Sequence, residues 1–370
     1  MRQLDSLRAF AVFLVLAAHT LNTEALPWGL SKVPVGEFGV QLFFVLSGFL
    51  ITRILLDCRD VREAMSVGWW LPVRQFYARR FLRIFPLYYG VIAAALVVGI
   101  RDASRYWPWL ISYTFNIYLA HTGEWVSYFS HFWSLAVEEQ FYLVWPWLVV
   151  FCPKKWLPAT LGGMILMGPI WRAVALGFGA NHIAAYCLTP ACLDALGAGS
   201  LLSVFSRSQQ QWNWIQTALR RSVFWILLLS IFLLLQVMRG KSGGYHVALR
   251  SATAFIFMAL ISTSARGFKG IPRRILENSA VRYIGKISYG IYVFHPFTAT
   301  AARWMARSLG HEMPFLGLTT FLAASVTTIA VAATSWTLFE KPLNDLKKLF
   351  PYNPRPARMP LYSQSRTTSS

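Results

Sequence analysis

The residues of this 370-residue chain that could do chemistry fall in four short clusters, each embedded in apolar sequence. The first is LDSLRAFAVFLVLAAHT, carrying Arg8 and His19. Eleven residues at about 100° each make about three turns plus 20°, so a helix projects both from one face, about 16 Å apart along its axis. Placed in a membrane span, Arg8 lies near the cytoplasmic surface and His19 in the outer half. The plainer alternative is a snorkelling arginine and a histidine bonded to a backbone carbonyl.

In the second cluster, HFWSLAVEEQFYLVWP, Ser134, Glu138 and Tyr142 fall at i, i+4 and i+8, one polar stripe on an aromatic helix. A buried glutamate at the depth of His19 would suit proton transfer. The competing reading, glutamates touching lipid headgroups, fits Glu139 better than Glu138. The third is YIGKISYGIYVFHPF, where Ser288, Tyr292 and His295 share a face beside Tyr289. They form a hydrogen-bonding wall for a polar ligand, or an interhelical network. The fourth is VRQFYARRFLRIFPLYY, with Arg79, Arg80 and Arg83 one turn apart. Arginine forks suit phosphate and pyrophosphate; a patch for anionic lipid is the competitor.

The elements that must position these groups are membrane helices. Apolar side chains make up 56 % of the chain and charged ones 14 %, against about 25 % charged in soluble domains. A soluble enzyme is excluded. The formal net charge is +20, but Lys and Arg stand in short blocks between apolar stretches, which is membrane topology and not a nucleic-acid face. Membrane-length stretches run over 5–24, 36–56, 84–100, 132–152, 156–178, 183–205, 222–238, 247–264, 283–303 and 315–338. The segment 107–120 is shorter and more polar. Leaving it out of the count puts 26 of the 35 Lys and Arg on the cytoplasmic side, so the chain reads as all-α and polytopic, with ten spans and both termini cytoplasmic.

Cys58, Cys152, Cys187 and Cys192 lack CxxC or metal-ligand spacing and read as packing residues, with no metal implied. The first stretch has no small-x-small cleavage site and reads as an uncleaved helix. Residues 1–345 form one membrane domain, and 346–370, rich in Pro, Ser, Thr and Arg, a disordered basic cytoplasmic tail. Arg172 and Asp194 also lie within spans; a pairing across adjacent helices is one reading, but their expected depths differ, and no role is assigned to either.

Taken together, these segments resemble the integral-membrane acyltransferase-3 family of bacterial O-acetyltransferases. The resemblance rests on RQLDSLRAFAVFLVLAAH, GEFGVQLFFVLSGFLITRIL, RRFLRIFP, FWSLAVEEQFYLVWP, LDALGAGSLL, YIGKISYGIYVFHP and WTLFEKP, in that order over nearly the whole chain. It implies transfer of an acyl group, commonly acetyl, from acyl-CoA at the cytoplasmic side. The acceptor is a hydroxyl on a cell-surface polysaccharide, lipid-linked glycan or similar molecule at the inner membrane. Acetyl-CoA is then a co-substrate, and no cofactor is bound permanently. His19 matches the family's essential histidine and Arg8 its companion. Arg80 and Arg83 match its donor-associated RxxR element, Ser134 and Glu138 its fifth-span polar positions, and Ser47 and Gly48 the segment lining the acyl path. Where the family often has an arginine two positions before Asp194, this chain has Cys192.

The expected mechanism makes His19 the general base toward the acceptor hydroxyl, oriented by Glu138, with Arg80 and Arg83 on the donor phosphates and the donor arm beside Arg8. Ser134, Tyr292 and His295 are the oxyanion or acceptor ligands. An acyl-histidine intermediate is a competing scheme. A secondary transporter or flippase is the competing class, because mid-membrane polar residues mark transporters too. No repeat between the two halves supports it.

Overall fold

The computed structural model describes residues 2–21, 33–65, 68–126, 128–239, 243–310 and 317–352. Of the disordered tail expected over 346–370, residues 353–370 lie outside them, whereas Leu346–Leu349 form a 3₁₀ turn. All regular structure among the described residues is helical: α1 (Arg2–Thr20), α2 (Val35–Met65), α3 (Trp70–Val97), α4 (Arg101–Ile111), α5 (Phe115–Thr122), α6 (Phe132–Phe151), α7 (Leu157–Gly177) and α8 (His182–Cys187) lead to α9 (Leu193–Phe205). The second half holds α10 (Gln209–Met238), α11 (Gly243–Arg266), α12 (Gly270–Leu276), α13 (Ser279–Lys286), α14 (Ser288–Ser308), α15 (Leu318–Ser335) and α16 (Lys341–Asp345). Six stretches among them are long and apolar enough to cross a membrane: Val35–Glu63, Trp70–Val97, Leu157–Gly177, Gln209–Gln236, Gly244–Arg266 and Leu318–Leu349.

Two expected spans are broken. The stretch 183–205 divides into α8, a 3₁₀ turn at Thr189–Cys192 and α9. The stretch 283–303 divides at Ile287, where α13 ends and α14 begins. The short segment 107–120 is not one helix. α4 and α5 have 11 and 8 residues, and Tyr113 between them takes a left-handed φ of 53°. Eight helical residues rise about 12 Å, far short of a bilayer core of about 30 Å.

Close backbone approach in lipid depends on small residues, since apolar burial gives little drive between helices there. α2 lies at the centre on this basis. A Cβ on Gly39 would meet the Ala11 carbonyl of α1 at 2.5 Å. On the α9 side a Cβ on Gly48 would overlap the Leu196 carbonyl, and one on Gly199 the Val45 carbonyl. Thr52 Oγ1 donates to Ser200 Oγ (2.9 Å) and receives the Trp145 indole N–H (2.7 Å), so the seam is also pinned by hydrogen bonds. α10, by contrast, leaves Phe224, Trp225, Leu229 and Phe232 exposed, an exterior that hydrocarbon solvates.

After α15 a single π-turn, Trp336–Glu340, re-aims the chain toward α3. The segment beyond α16 then crosses Arg79, which donates to the carbonyls of Lys347 (2.9 Å) and Phe350 (3.1 Å). Tyr352 stacks under the same guanidinium at 4.5 Å.

Gly199→Val should abolish most of the monodisperse peak of detergent-solubilised protein in size-exclusion chromatography, because the added carbons overlap backbone that cannot yield. Gly162→Ala, at a position with open space around the Cβ, should leave the peak unchanged.

Candidate active site

α1, α2, α3, α6 and α14 enclose a cavity of about 60 Å³ lined by Arg8, Ser47, Arg80, Arg83, Ser134, Glu138 and Tyr292, with Tyr142, Ser288 and Tyr289 among their neighbours. That volume holds a handful of waters. Helical spacing supplies the lining: each of the five helices turns its polar stripe inward. Ser47 Oγ donates to Glu138 Oε1 (2.6 Å), joining α2 to α6. Arg8 Nε donates to Ser288 Oγ (3.2 Å), joining α1 to α14. The Arg80 guanidinium lies 5.1 Å from the Tyr142 ring.

None of the three arginines has a carboxylate within ion-pair distance, 4.0 Å, among the described residues, and Arg83 makes no hydrogen bond there either. Three guanidinium groups thus meet two carboxyls, Glu138 and Glu139, in one small space. The arrangement has positive charge to spare for an anion. Arg79, grouped with them in the sequence, is committed to the C-terminal carbonyls.

One level further along, three imidazoles meet edge to face. His19 and His295 have ring centroids 4.9 Å apart, as do His295 and His131. His19 Nδ1 lies 2.8 Å from the Val15 carbonyl, which can only accept, so Nδ1 carries the proton and Nε2 keeps its lone pair. His19 is exposed at the protein surface. His295 is buried, with Nδ1 on the Tyr292 carbonyl (2.7 Å) and Nε2 lacking a partner. Between these rings and the cavity stand Ser134 and Tyr292, whose hydroxyls are 2.5 Å apart and each within hydrogen-bond distance of the His131 carbonyl (3.1 and 3.0 Å).

The structure therefore gathers Arg8, Ser47, Arg80, Arg83, Ser134, Glu138 and Tyr292 at one cavity, and His19 with His295 outside it. It does not bring Glu138 to His19. α6 runs antiparallel to α14, so His131, not Glu138, reaches the histidine level, and Glu138 lies two turns away with Ser47. Gly48 faces α9 and has its carbonyl bonded by Ser200 Oγ (3.3 Å), on the seam of α2 and not on the cavity. His131 was missed by the sequence reading. Its signal was present, since 131, 134 and 138 are at i, i+3 and i+7 on one face.

A second polar site lies apart from the cavity. Arg172 of α7 pairs with Asp194 of α9 at 2.7 Å, with both side chains at most 5 % exposed. Arg172 also donates to the Ala191 carbonyl (2.6 Å) and Ser251 Oγ (2.7 Å), and Ser251 donates to Asp194 (2.8 Å). The guanidinium missing at Cys192 thus comes from a neighbouring helix, and both groups gain a structural role.

Lipid-facing helices around an arginine-lined polar cavity define a multi-pass membrane protein with a buried site. The chain belongs to the acyltransferase-3 family, whose acyltransferase domain matches residues 1–337. Among curated proteins it is similar to the peptidoglycan O-acetyltransferase OatA of Listeria monocytogenes, with 30 % identity over 321 residues, covering 79 % of this chain and 48 % of that one. It is also similar to YrhL of Bacillus subtilis, named "Putative peptidoglycan O-acetyltransferase", with 28 % identity over 79 % of this chain and 47 % of the other. The chain spans about half the length of these relatives. No solved structure matches it.

Breaking the buried pair from one side leaves a charge uncompensated, at a cost of about 3–5 kcal/mol. Asp194→Asn should lower the thermal midpoint in detergent sharply. Arg172→Met combined with Asp194→Asn should cost less than the sum of the single changes in a double-mutant cycle.

Proposed function

We propose that this protein is a membrane O-acyltransferase that moves an acetyl group from acetyl-CoA to a hydroxyl of a cell-envelope glycan. Support for the acceptor class comes from the relatives' names and for the donor from the cavity. The observation that carries the donor assignment is the set of three guanidinium groups, Arg8, Arg80 and Arg83, free of carboxylate partners at one cavity. A diphosphate supplies the missing negative charge. In this reading residues 1–345 are the catalytic domain, ten spans place both termini in the cytoplasm, and the membrane is the inner one. The arginines then face the compartment that holds acetyl-CoA.

Chemistry follows from the histidine level. The free Nε2 of His19 accepts the proton as the acceptor oxygen attacks the thioester carbon. The C–S bond breaks as the C–O ester bond forms, and the proton passes to the departing thiolate. His295 and the hydroxyls of Ser134 and Tyr292 offer the polar contacts for the acceptor and the oxyanion. Glu138, held on Ser47, belongs with the donor side in this scheme. The acetyl-bearing end must pass the Ser134–Tyr292 pair to reach His19, so that pair must part during turnover.

Membranes carrying equal amounts of wild-type or variant protein and supplied with acetyl-labelled acetyl-CoA test the reading by mass spectrometry of glycan fractions. His19→Ala should lower label transfer at least 10²-fold, the scale of a lost general base. Equal label with His19→Ala would remove it from the chemistry. Arg83→Gln should raise the KM for acetyl-CoA about tenfold or more, since a hydrogen bond to a charged group contributes about 1.5–3 kcal/mol. An unchanged KM would take Arg83 off the donor.

A further inference from the structure

The end of the molecule where α10 begins and α11 ends holds a second cavity, about 610 Å³, that the acyl-transfer site does not use. Its walls are apolar, with Leu219 and Val223 from α10 and Leu260 from α11, and its mouth carries Arg220, Arg266 and Lys269. No Asp or Glu lines it. The three cations are exposed, and none has an acidic ion-pair partner among the described residues.

The mouth is a built feature. Gln216, buried at 5 % exposure, accepts from Arg266 Nη1 (2.8 Å) and donates to the Ser262 carbonyl (3.2 Å), which fixes the guanidinium at the rim. The loop carrying Lys269 is clasped by Gln3 of α1, whose amide oxygen receives the Phe268 N–H (2.8 Å) and whose nitrogen donates to the Phe268 carbonyl (3.4 Å). The apolar wall does not end at the cavity. One turn beyond Val223, Leu227 is 42 % exposed on the lipid-facing side of α10. A ligand that satisfies the whole site has an anionic head for three cations and a hydrocarbon tail for the wall that runs on along α10.

We propose that this cavity binds one anionic phospholipid, with its phosphate at Arg220, Arg266 and Lys269 and an acyl chain against Leu219, Val223 and Leu260. A basic recess between helices at the membrane surface has the required chemistry. A free phosphate would leave the apolar wall unused, and a neutral lipid would leave the three cations unmatched. Because Gln3 joins the mouth to the helix that carries Arg8 and His19, a bound lipid also braces the start of α1.

The test uses the full chain in neutral detergent, titrated with phosphatidylglycerol or phosphatidylcholine and read by native mass spectrometry. The wild type should retain one phosphatidylglycerol at least tenfold more tightly than phosphatidylcholine. The triple variant Arg220→Gln, Arg266→Gln, Lys269→Gln should lose that preference. A charge-matched control, Lys155→Gln, Arg274→Gln, Lys348→Gln, should keep it. Equal binding of the two lipids by the wild type, or an equal loss in the control, would overturn the proposal. Millimolar inorganic phosphate should not displace the lipid; displacement would mark a simple anion site instead. Should the triple variant fail to give folded protein, Arg266→Gln alone must still weaken phosphatidylglycerol several-fold, and no weakening would count against the site.

Discussion

A polar group carried into hydrocarbon must be met by another polar group, because no water is there to meet it. That constraint organises this molecule more than apolar packing does, since lipid tails serve apolar side chains as well as other helices do. Arg172 with Asp194 and Ser251, Thr52 with Ser200 and Trp145, and Ser47 with Glu138 each join two or three helices at depth. Between those ties the glycines of α2 and α9 let backbones touch. Large apolar side chains remain exposed on the outer faces, as with Leu166 and Ile170 of α7 and Phe224 and Trp225 of α10.

The same constraint makes the unmet groups informative. Arg83 makes no hydrogen bond among the described residues, and the buried Nε2 of His295 lacks a partner. They lie on the two sides of the Ser134–Tyr292 pair. One side has cationic donors waiting for an anion, and the other has imidazole lone pairs waiting for a proton donor. Two half-sites of opposite character thus face each other across a pair of hydroxyls.

Much of the cavity was legible in the sequence, and the reason is geometric. Spacings of three, four and seven fix which face of a helix a residue occupies, so Ser134, Glu138 and Tyr142 share a stripe wherever α6 packs, and the same holds for Ser288 and Tyr292. What spacing does not fix is the relative depth of two helices, which depends on the segments that join them. Glu138 was expected at the level of His19, yet the chain before α6 seats His131 there. Arg172 and Asp194 read as mismatched in depth because 183–205 looked like one helix; the 3₁₀ turn at Thr189–Cys192 brings Asp194 to Arg172. The break at Ile287 inside 283–303 is likewise a turn that composition does not announce.

The Ser134–Tyr292 contact has a further consequence, for the membrane and not for the reaction. The arginine cavity and the exposed imidazole of His19 lie on opposite sides of it. One phenol and one hydroxyl, both within hydrogen-bond distance of the His131 carbonyl, stand between them. A bilayer stays sealed around such a contact only while the contact is shut or filled. The tightness of this contact is then a condition of insulation: whatever passes it must plug it while it passes.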